Sequence, residues 1–142
     1  MSDIQRTLIL VKPDGVRRGL AGEVLRRVEA KGYTLAAVSL RTPDDDLLAA
    51  HYAEHQGKPF FTPLVEFMKS GPVLAVVAEG HRVIEGFRSL AGSTEPTGAA
   101  PGTIRGDLGR DWGLSVVQNL VHGSDSPESA AREIGLWFPE LG

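Results

Sequence analysis

TLILVKPDG, residues 7–15, opens with a short run of apolar and β-branched residues and closes on a proline and a glycine. Runs of this kind, bounded by turn residues, are typical of buried strands. The proline and glycine of Lys12-Pro13-Asp14-Gly15 predict a turn, because these two residue types end strands. We therefore expect a buried first strand over residues 7–11 and a turn directly after it.

Helical and strand patterns alternate along the rest of the chain. Apolar residues recur at helical spacing over Leu20–Ala30, where Gly32 is the expected C-cap, and again over His81–Leu90. A last helix is expected to open at Ser126-Pro127 and to run to about Leu136. Three further strands are predicted at Thr34–Leu40, Val73–Ala78 and Ser115–Val121.

Two short helices are predicted between the second and third strands. Thr42-Pro43 opens the first, which is expected to end near Ala53, since a capping hydroxyl followed by proline favours a helix start. Thr62-Pro63 opens the second in the same way, and that helix is expected to end near Ser70. Without these insertions the order is βαββαβ. It predicts an α+β fold of the ferredoxin-like type, with an antiparallel sheet and helices on one face.

The composition is that of an ordinary globular protein. The chain has 142 residues, 42% hydrophobic and 23% charged, which favours one domain over residues 1–142. Its net charge of -3 excludes an overall basic field, so we expect local anion sites and no specific nucleic-acid partner. The lack of cysteine excludes disulfides, thiol nucleophiles and thiolate metal clusters, and it suits the cytoplasm. Met1–Arg6 shows no export signal, and Val73–Ala78, the longest apolar stretch, is too short to span a membrane.

Residues 119–125, Asn-Leu-Val-His-Gly-Ser-Asp, form a polar cluster between the predicted last strand and the closing helix. The imidazole of His122 is a candidate nucleophile, because a neutral ring can attack phosphorus or accept a proton. Glu133, on the closing helix, is placed to fold back and fix the ring in one tautomer. The alternatives are a histidine that caps a turn and a solvated acid on a helix face, and the pattern leaves them open.

Three cations stand at the ends of predicted elements. Lys12 follows the first strand, Arg88 ends a helix, and Arg105 ends a long loop over residues 91–106 that is rich in glycine and proline. Loops of this length are commonly functional, and converging cations suit a polyphosphate. Thr94 in the same loop is a further candidate donor to a phosphate. Taken singly, each has the alternative of a surface or turn residue.

The aromatic residues and the other histidines give weaker signals. Tyr52 and Phe60 flank a Gly-Lys-Pro turn, where an exposed ring can stack on a base, although core packing is the more common fate of a phenylalanine. No P-loop, dinucleotide-binding glycine motif, HExxH pair or GxSxG elbow is present in the sequence. The remaining histidines, which show no metal-ligand arrangement, are His51, His55 and His81.

Four motifs together resemble the nucleoside diphosphate kinase family over nearly the whole chain. They are TLILVKPDGV from residue 7, HYAEHQGKPFF from residue 51, PGTIRGD at 101–107 and NLVHGSD at 119–125. The resemblance implies an enzyme that transfers the γ-phosphoryl group of a nucleoside triphosphate, typically ATP, to a nucleoside diphosphate and so maintains nucleoside triphosphate pools. It implies a ping-pong mechanism in which His122 is transiently phosphorylated. The family's ferredoxin-like fold agrees with the predicted order of elements.

The resemblance also implies a set of nucleotide-binding residues. Asn119, with Lys12, is expected near the ribose hydroxyl. Phe60 is expected under the base, where stacking tolerates purines and pyrimidines alike. Five side chains are expected on the phosphates. They are Lys12, Tyr52, Arg88, Thr94 and Arg105.

Catalytic residues, a cofactor and an assembly are implied as well. Glu133, with Ser124, is expected to orient His122, and Lys12 is counted with them as catalytic. Mg²⁺ is expected to bridge phosphate oxygens of the nucleotide without dedicated protein ligands, with Asp125 acting through water. The family forms homo-oligomers, either tetramers or hexamers built from dimers.

Two features depart from the family pattern. Residues 108–118 look a few residues longer than in most members, which predicts an enlarged loop with Trp112 as its most conspicuous side chain. The chain ends soon after Trp137-Phe138-Pro139, where longer members continue into a tail that packs on a neighbouring subunit, so the sequence does not choose between tetramer and hexamer.

The alternative function is a catalytically silent nucleotide-binding regulatory protein of the same fold. An RNA-binding module is disfavoured by the few aromatic residues and the negative charge.

Overall fold

A computed structural model describes residues 4–141. Met1–Asp3, part of the stretch expected to carry no export signal, and Gly142 lie outside the described residues. The strands are β1 (Ile4–Val11), β2 (Thr34–Arg41), β3 (Val73–His81) and β4 (Val121–Gly123). The α-helices are α1 (Pro13–Arg17), α2 (Ala21–Ala30), α3 (Asp45–His51), α4 (Phe61–Met68), α5 (Val83–Ala91), α6 (Ile104–Leu108) and α7 (Pro127–Trp137).

The strands form one antiparallel sheet in the order β2-β3-β1-β4. β1 lies inside the sheet, where Ile9 pairs with Val76 of β3 on one side and with Gly123 of β4 on the other. A strand bonded on both sides and covered on both faces must carry apolar side chains in succession, and residues 8–11 are all fully buried. The strand order is that of the ferredoxin-like fold, so the predicted α+β class is confirmed.

Helices cover both faces of the sheet. On the first face, α2 and α5 pack on alternate β1 residues such as Ile9, as the ferredoxin-like plan requires. On the second face, the inserted helices α3 and α4 and the closing helix α7 pack on the other set, such as Leu8. The sequence predicted only the first of these layers. The second layer matters for function, because α3 and α7 bring side chains to the end of β4.

The predicted last strand is displaced. Ser115–Val121 was the expected range, whereas β4 covers Val121–Gly123 and residues 115–120 are irregular. The physical reason is Leu120, whose φ of 73° lies in the left-handed region and interrupts extended backbone. Val116 and Val117, which contributed to the strand pattern, lie before this break, and Val117 is 44% exposed. The prediction therefore mistook an irregular approach for the strand itself.

Several helix boundaries also differ from prediction. The expected turn at residues 12–15 is the start of α1, since proline is well tolerated in a first helical turn. The cap of α3 is Asp44, which accepts the Leu47 N–H at 2.8 Å, and not Thr42. α4 begins one residue before Thr62, which therefore lies inside the first turn. Within the predicted loop 91–106, Thr103 caps α6 by accepting the Gly106 N–H at 2.9 Å.

The other boundaries are minor. β3 continues to His81, so α5 begins at Val83, two residues later than predicted, and it ends at Ala91. α2 ends at Ala30 and is followed by Gly32 with a φ of 103°, the conformation for which glycine is favoured after a helix. Among residues 4–141, no helix is both long enough and apolar enough to cross a membrane.

Candidate active site

A cavity of about 270 Å³ lies where β1, β4, α5 and α6 meet. The elements come together because β1 and β4 pair, with Leu10 opposite His122. The three predicted cations converge here, although each stands on a different element. The residues that line the cavity include Lys12, Arg88, Thr94, Arg105, Asn119 and His122.

His122 is held by a buried carboxylate. Its Nε2 lies 2.9 Å from Glu133 Oε1, and the Ser124 hydroxyl donates to the same oxygen at 2.7 Å. Ser124 Oγ in turn accepts the Leu8 N–H at 3.2 Å, which ties this group to β1. Because a carboxylate only accepts hydrogen bonds, Nε2 carries the imidazole proton and the lone pair is on Nδ1.

Glu133 has the charge this arrangement requires. Burial raises the pKa of its carboxyl, but the hydrogen bonds from His122 and from the Ser124 hydroxyl favour the ionised form and act against that effect. The pKa therefore lies below its usual value and the group is ionised at neutral pH. The structure thus brings the predicted residues of α7 and β4 into direct contact.

Lys12 and Asn119 hold one wall of the cavity. Lys12 Nζ donates to Asn119 Oδ1 at 2.9 Å, and Asn119 Nδ2 donates to the Thr94 carbonyl at 2.9 Å. Burial lowers the pKa of the Lys12 ammonium to about 8, and the charge of Arg105 adds to this effect. A lysine in this state binds an anion with little competition from water, but it loses its charge in mildly alkaline solution.

Arg105 braces the backbone around the cavity. Its guanidinium donates to three carbonyl oxygens, those of Asn119 at 3.1 Å, Gly92 at 2.8 Å and Val121 at 2.6 Å. Burial, with the charge of Arg88, lowers its pKa to about 10, so it remains cationic at neutral pH. Arg88 makes one long contact, from Nη1 to the Gly123 carbonyl at 3.5 Å, and is the less constrained of the two.

A strained turn separates Asn119 from His122. The Val121 N–H donates to the Asn119 carbonyl at 2.8 Å, which closes a three-residue γ-turn centred on Leu120 with its φ of 73°. Such a conformation costs about 1–3 kcal/mol in a residue other than glycine. Asp14, which the sequence did not single out, accepts the Leu120 N–H at 3.0 Å.

Tyr52 lines a second cavity of about 240 Å³, which His122 also lines. Arg88 and His122 line both cavities, so the two cavities adjoin at these residues. Burial raises the pKa of the Tyr52 phenol, so its hydroxyl stays protonated and can donate. Phe60 is 48% exposed, packs its ring at 5.1 Å from that of His55, and lines neither cavity.

His51 is a site residue that sequence reasoning missed. Its ring centroid lies 4.9 Å from that of His122, and one ligand atom each of His51, His122 and Glu133 lies within 4.8 Å of the others. The Trp137 indole N–H donates to His51 Nδ1 at 3.0 Å, so the proton of a neutral His51 ring is on Nε2. Burial lowers the pKa of His51 to about 3 and keeps it neutral. His51 therefore offers a donor here rather than a lone pair for a metal.

Comparisons with known proteins extend over the whole site. The family model for nucleoside diphosphate kinase matches residues 5–141. A nucleoside diphosphate kinase from Mycolicibacterium vanbaalenii is 62% identical over 136 residues, 95% of this chain and 97% of that protein. The structure of a halophilic nucleoside diphosphate kinase from Halobacterium salinarum in complex with CDP has a TM-score of 0.88 at 46% identity, and the match covers 97% of this chain and 88% of that one.

A further solved structure is a transition state mimic. It is the nucleoside-diphosphate kinase from Borrelia burgdorferi with bound vanadate and ADP, with a TM-score of 0.87 at 39% identity over 95% of this chain and 87% of that one. The residues matched by the family model include every helix and strand that lines the cavities. The chain therefore belongs to the nucleoside diphosphate kinase family of nucleotide-binding phosphotransferases.

Proposed function

We propose that this enzyme transfers the γ-phosphoryl group of a nucleoside triphosphate, typically ATP, to a nucleoside diphosphate by a ping-pong mechanism, with His122 as the nucleophile. The observation that carries the proposal is the 2.9 Å contact between His122 Nε2 and the buried carboxylate of Glu133. It holds the proton on Nε2 and leaves the Nδ1 lone pair for attack. The role of such an enzyme is to maintain nucleoside triphosphate pools, and the whole chain, residues 1–142, serves as one catalytic domain.

Both half-reactions use the same atoms. In the first, the Nδ1 lone pair of His122 forms a bond to the γ-phosphorus, the bond to the β,γ-bridging oxygen breaks, and the diphosphate leaves with that electron pair. In the second, a terminal oxygen of another diphosphate forms a bond to the phosphorus and the P–N bond breaks, which returns the lone pair to Nδ1. The Glu133 carboxylate stabilises the positive charge that the phosphorylated ring carries.

The cations act on the phosphates. Lys12, Arg88 and Arg105 border the cavity next to His122, and their charges offset the negative charge of the transferring group. The Thr94 carbonyl accepts a hydrogen bond from Asn119 beside them, and the Thr94 hydroxyl is assigned as a further donor to the phosphates. Tyr52 donates from the second cavity.

The nucleoside is expected to extend outward from the phosphates. Asn119, with Lys12, is assigned to the ribose hydroxyl. Phe60, which is exposed, is assigned to the face of the base, where stacking favours no single base. The CDP and ADP bound to the two relatives support a nucleotide as the ligand.

Magnesium fits this site as an ion carried by the nucleotide. Among the described residues that line the first cavity, none has a carboxylate, so the donor set suits an ion held by phosphate oxygens. Asp125, which lines the second cavity, would hold such an ion through a water molecule. When bound, Mg²⁺ supplies neutralisation of the phosphate charge.

The assembly we propose is a homo-oligomer in the cytoplasm, a tetramer or a hexamer built from dimers. β2 lies at an edge of the sheet, where Val38 and Leu40 are 48% and 60% exposed. A second copy that pairs along this edge would cover both side chains, and isologous pairing of this kind gives a closed dimer.

A labelling experiment tests the phosphohistidine. The protein is mixed with γ-labelled ATP and Mg²⁺ without an acceptor, and the labelled protein is treated with acid, with alkali and with GDP. We expect label that is acid-labile, alkali-stable and released as GTP. Labelled protein with the same properties in a His122→Ala variant would overturn the assignment. Nucleotide binding without label would favour the regulatory alternative.

A further inference from the structure

Leu120 pairs both of its backbone polar groups with one short segment of the chain. Its N–H donates to Asp14 Oδ2 at 3.0 Å, and its carbonyl accepts the Lys12 N–H at 2.8 Å. Gly15 makes this approach possible, because a Cβ there would lie 3.2 Å from the Leu120 oxygen and 2.8 Å from Val11 Cγ1. The strained turn is thus clamped against the start of α1.

The clamp depends on a side chain in an unusual environment. Asp14 is only 4% exposed, and its second oxygen, Oδ1, is buried with no hydrogen-bond partner among the described residues. A buried carboxylate with one unpaired oxygen is destabilising. The burial of this carboxylate is best explained by the hydrogen bond that its other oxygen, Oδ2, accepts from the Leu120 N–H.

The residues on either side of the turn are those of the proposed reaction. Asn119 contacts Lys12, and His122 lies two residues after Leu120. If the Leu120 N–H loses its acceptor, the backbone can relax toward negative φ, which rotates the peptide groups on both sides. That change moves Asn119 and His122 relative to each other, and misplacement by about 1 Å can cost about 100-fold in rate.

We propose that Asp14 is a positioning residue for phosphoryl transfer, which holds the strained Leu120 turn and so fixes His122 against the cations. The role rests on the function proposed above for His122. The positioning role requires an oxygen acceptor at residue 14, whereas an electrostatic role toward the Lys12 ammonium requires the negative charge. A variant that keeps the acceptor and loses the charge is therefore expected to be active under the first role and impaired under the second.

The test compares three side chains of the same branched shape. Asp14→Asn keeps an oxygen acceptor for the Leu120 N–H and removes the charge, whereas Asp14→Leu removes both. We expect Asp14→Asn to phosphorylate His122 within about tenfold of the wild-type single-turnover rate. Asp14→Leu is expected to lose about 100-fold, with a smaller change in nucleotide affinity.

Amide hydrogen exchange gives a readout that does not need activity. In Asp14→Leu we expect the Leu120 amide to lose protection while Ile9 and Val76, inside the sheet, keep theirs; in Asp14→Asn all three stay protected. Wild-type phosphorylation in Asp14→Leu would overturn the proposal. A 100-fold lower rate of His122 phosphorylation in Asp14→Asn, with the Leu120 amide still protected, would also overturn the proposal. This second result is decisive even if Asp14→Leu fails to fold. If wild-type protein forms no phosphohistidine, the proposed function fails, whereas the exchange pattern still tests the clamp.

Discussion

Residues 108–118 and residues 119–124 are neighbours in sequence and opposites in structure. In the first segment, Trp112 and Leu114 are 46% and 54% exposed, and the guanidinium groups of Arg18 and Arg110 lie over the indole at 5.6 Å and 4.4 Å. The second segment begins and ends on buried residues and is bonded to β1, α6 and α7. The expected departure from the family pattern falls in the exposed segment, and His122 with its motif neighbours Asn119 and Ser124 falls in the bonded one.

The difference shows where this fold accepts change. A surface loop can lengthen at small entropic cost, because each doubling of loop length costs only about 0.6 kcal/mol. A residue added inside the bonded segment would shift the pairing of His122 with Leu10. The predictions that follow test this contrast, from the bonded segment outward.

Replacing the nucleophile gives the largest expected effect. His122→Ala is expected to lower phosphoryl transfer about ten-thousand-fold or more, since no other group supplies the attacking lone pair, while nucleotide binding is largely kept. Steady-state transfer from ATP to GDP and nucleotide titration measure the two properties. His81→Ala, at an exposed histidine at the end of β3, is the matched control. Equal losses of phosphoryl transfer in His122→Ala and His81→Ala would contradict the contrast between the bonded segment and the exposed parts of the molecule.

Neutralising the acid behind the nucleophile gives the next effect. Glu133→Gln keeps the shape and an acceptor for His122 Nε2 but removes the charge, so we expect kcat to fall about 10- to 100-fold with a smaller change in KM. Glu128→Gln, at an exposed acid on the same helix, should leave transfer unchanged. A Glu133→Gln enzyme with wild-type kcat would show that the ring needs no buried charge.

The third effect is a fall in kcat/KM above about pH 8. Burial lowers the pKa of Lys12 to about 8, so raising the pH past that value removes its proton and its charge in the free enzyme. A bound anionic nucleotide keeps the proton in place, so kcat should fall less than kcat/KM. In Lys12→Arg the alkaline fall should move to higher pH, even if the maximum is lower. An unchanged alkaline limb in that variant argues against Lys12.

The smallest effect is expected in the exposed loop. Trp112→Ala removes the indole that Arg18 and Arg110 cover, and we expect it to lower stability by only about 0.5–1 kcal/mol. Transfer should stay within about twofold of wild type, because the loop lies outside the two cavities. Thermal unfolding and the transfer assay measure both. A tenfold loss of transfer here would erase the distinction between the two segments.

The sequence predicted those features that can be recognised from the residue pattern of a single helix or strand. Residues 7–11 could be recognised as a buried strand because a β-branched threonine is followed by four apolar side chains, and the order of elements then predicted the fold class. The convergence of Lys12, Arg88 and Arg105 followed from their places at element ends, and the structure brings them to one cavity. Their roles on a nucleotide stay predictions.

What the sequence could not show depends on contacts between distant segments. His51 and Trp137 are 86 positions apart, and the packing of α3 against α7 brings them together. The hydrogen bond from the indole N–H to His51 Nδ1 then fixes the tautomer of the histidine. The positive φ of Leu120 could not be predicted from the sequence either, because leucine rarely adopts positive φ and the nearby valines favour a strand. The acceptor of its N–H, Asp14, lies 106 positions earlier.

The pairing of β1 with β4 has a consequence for biosynthesis. Lys12 bonds to a residue 107 positions later, and Leu8 bonds to one 116 positions later. A ribosome releases the N-terminal part of the chain first, so β1 waits for most of translation before its second neighbour exists. Until then, one edge of a strand that ends in four successive apolar residues has no partner within its own nascent chain, and contacts of such long range also form slowly. The nascent chain is therefore most exposed to aggregation in the interval before residues 119–133 emerge, and chaperone dependence should be concentrated there.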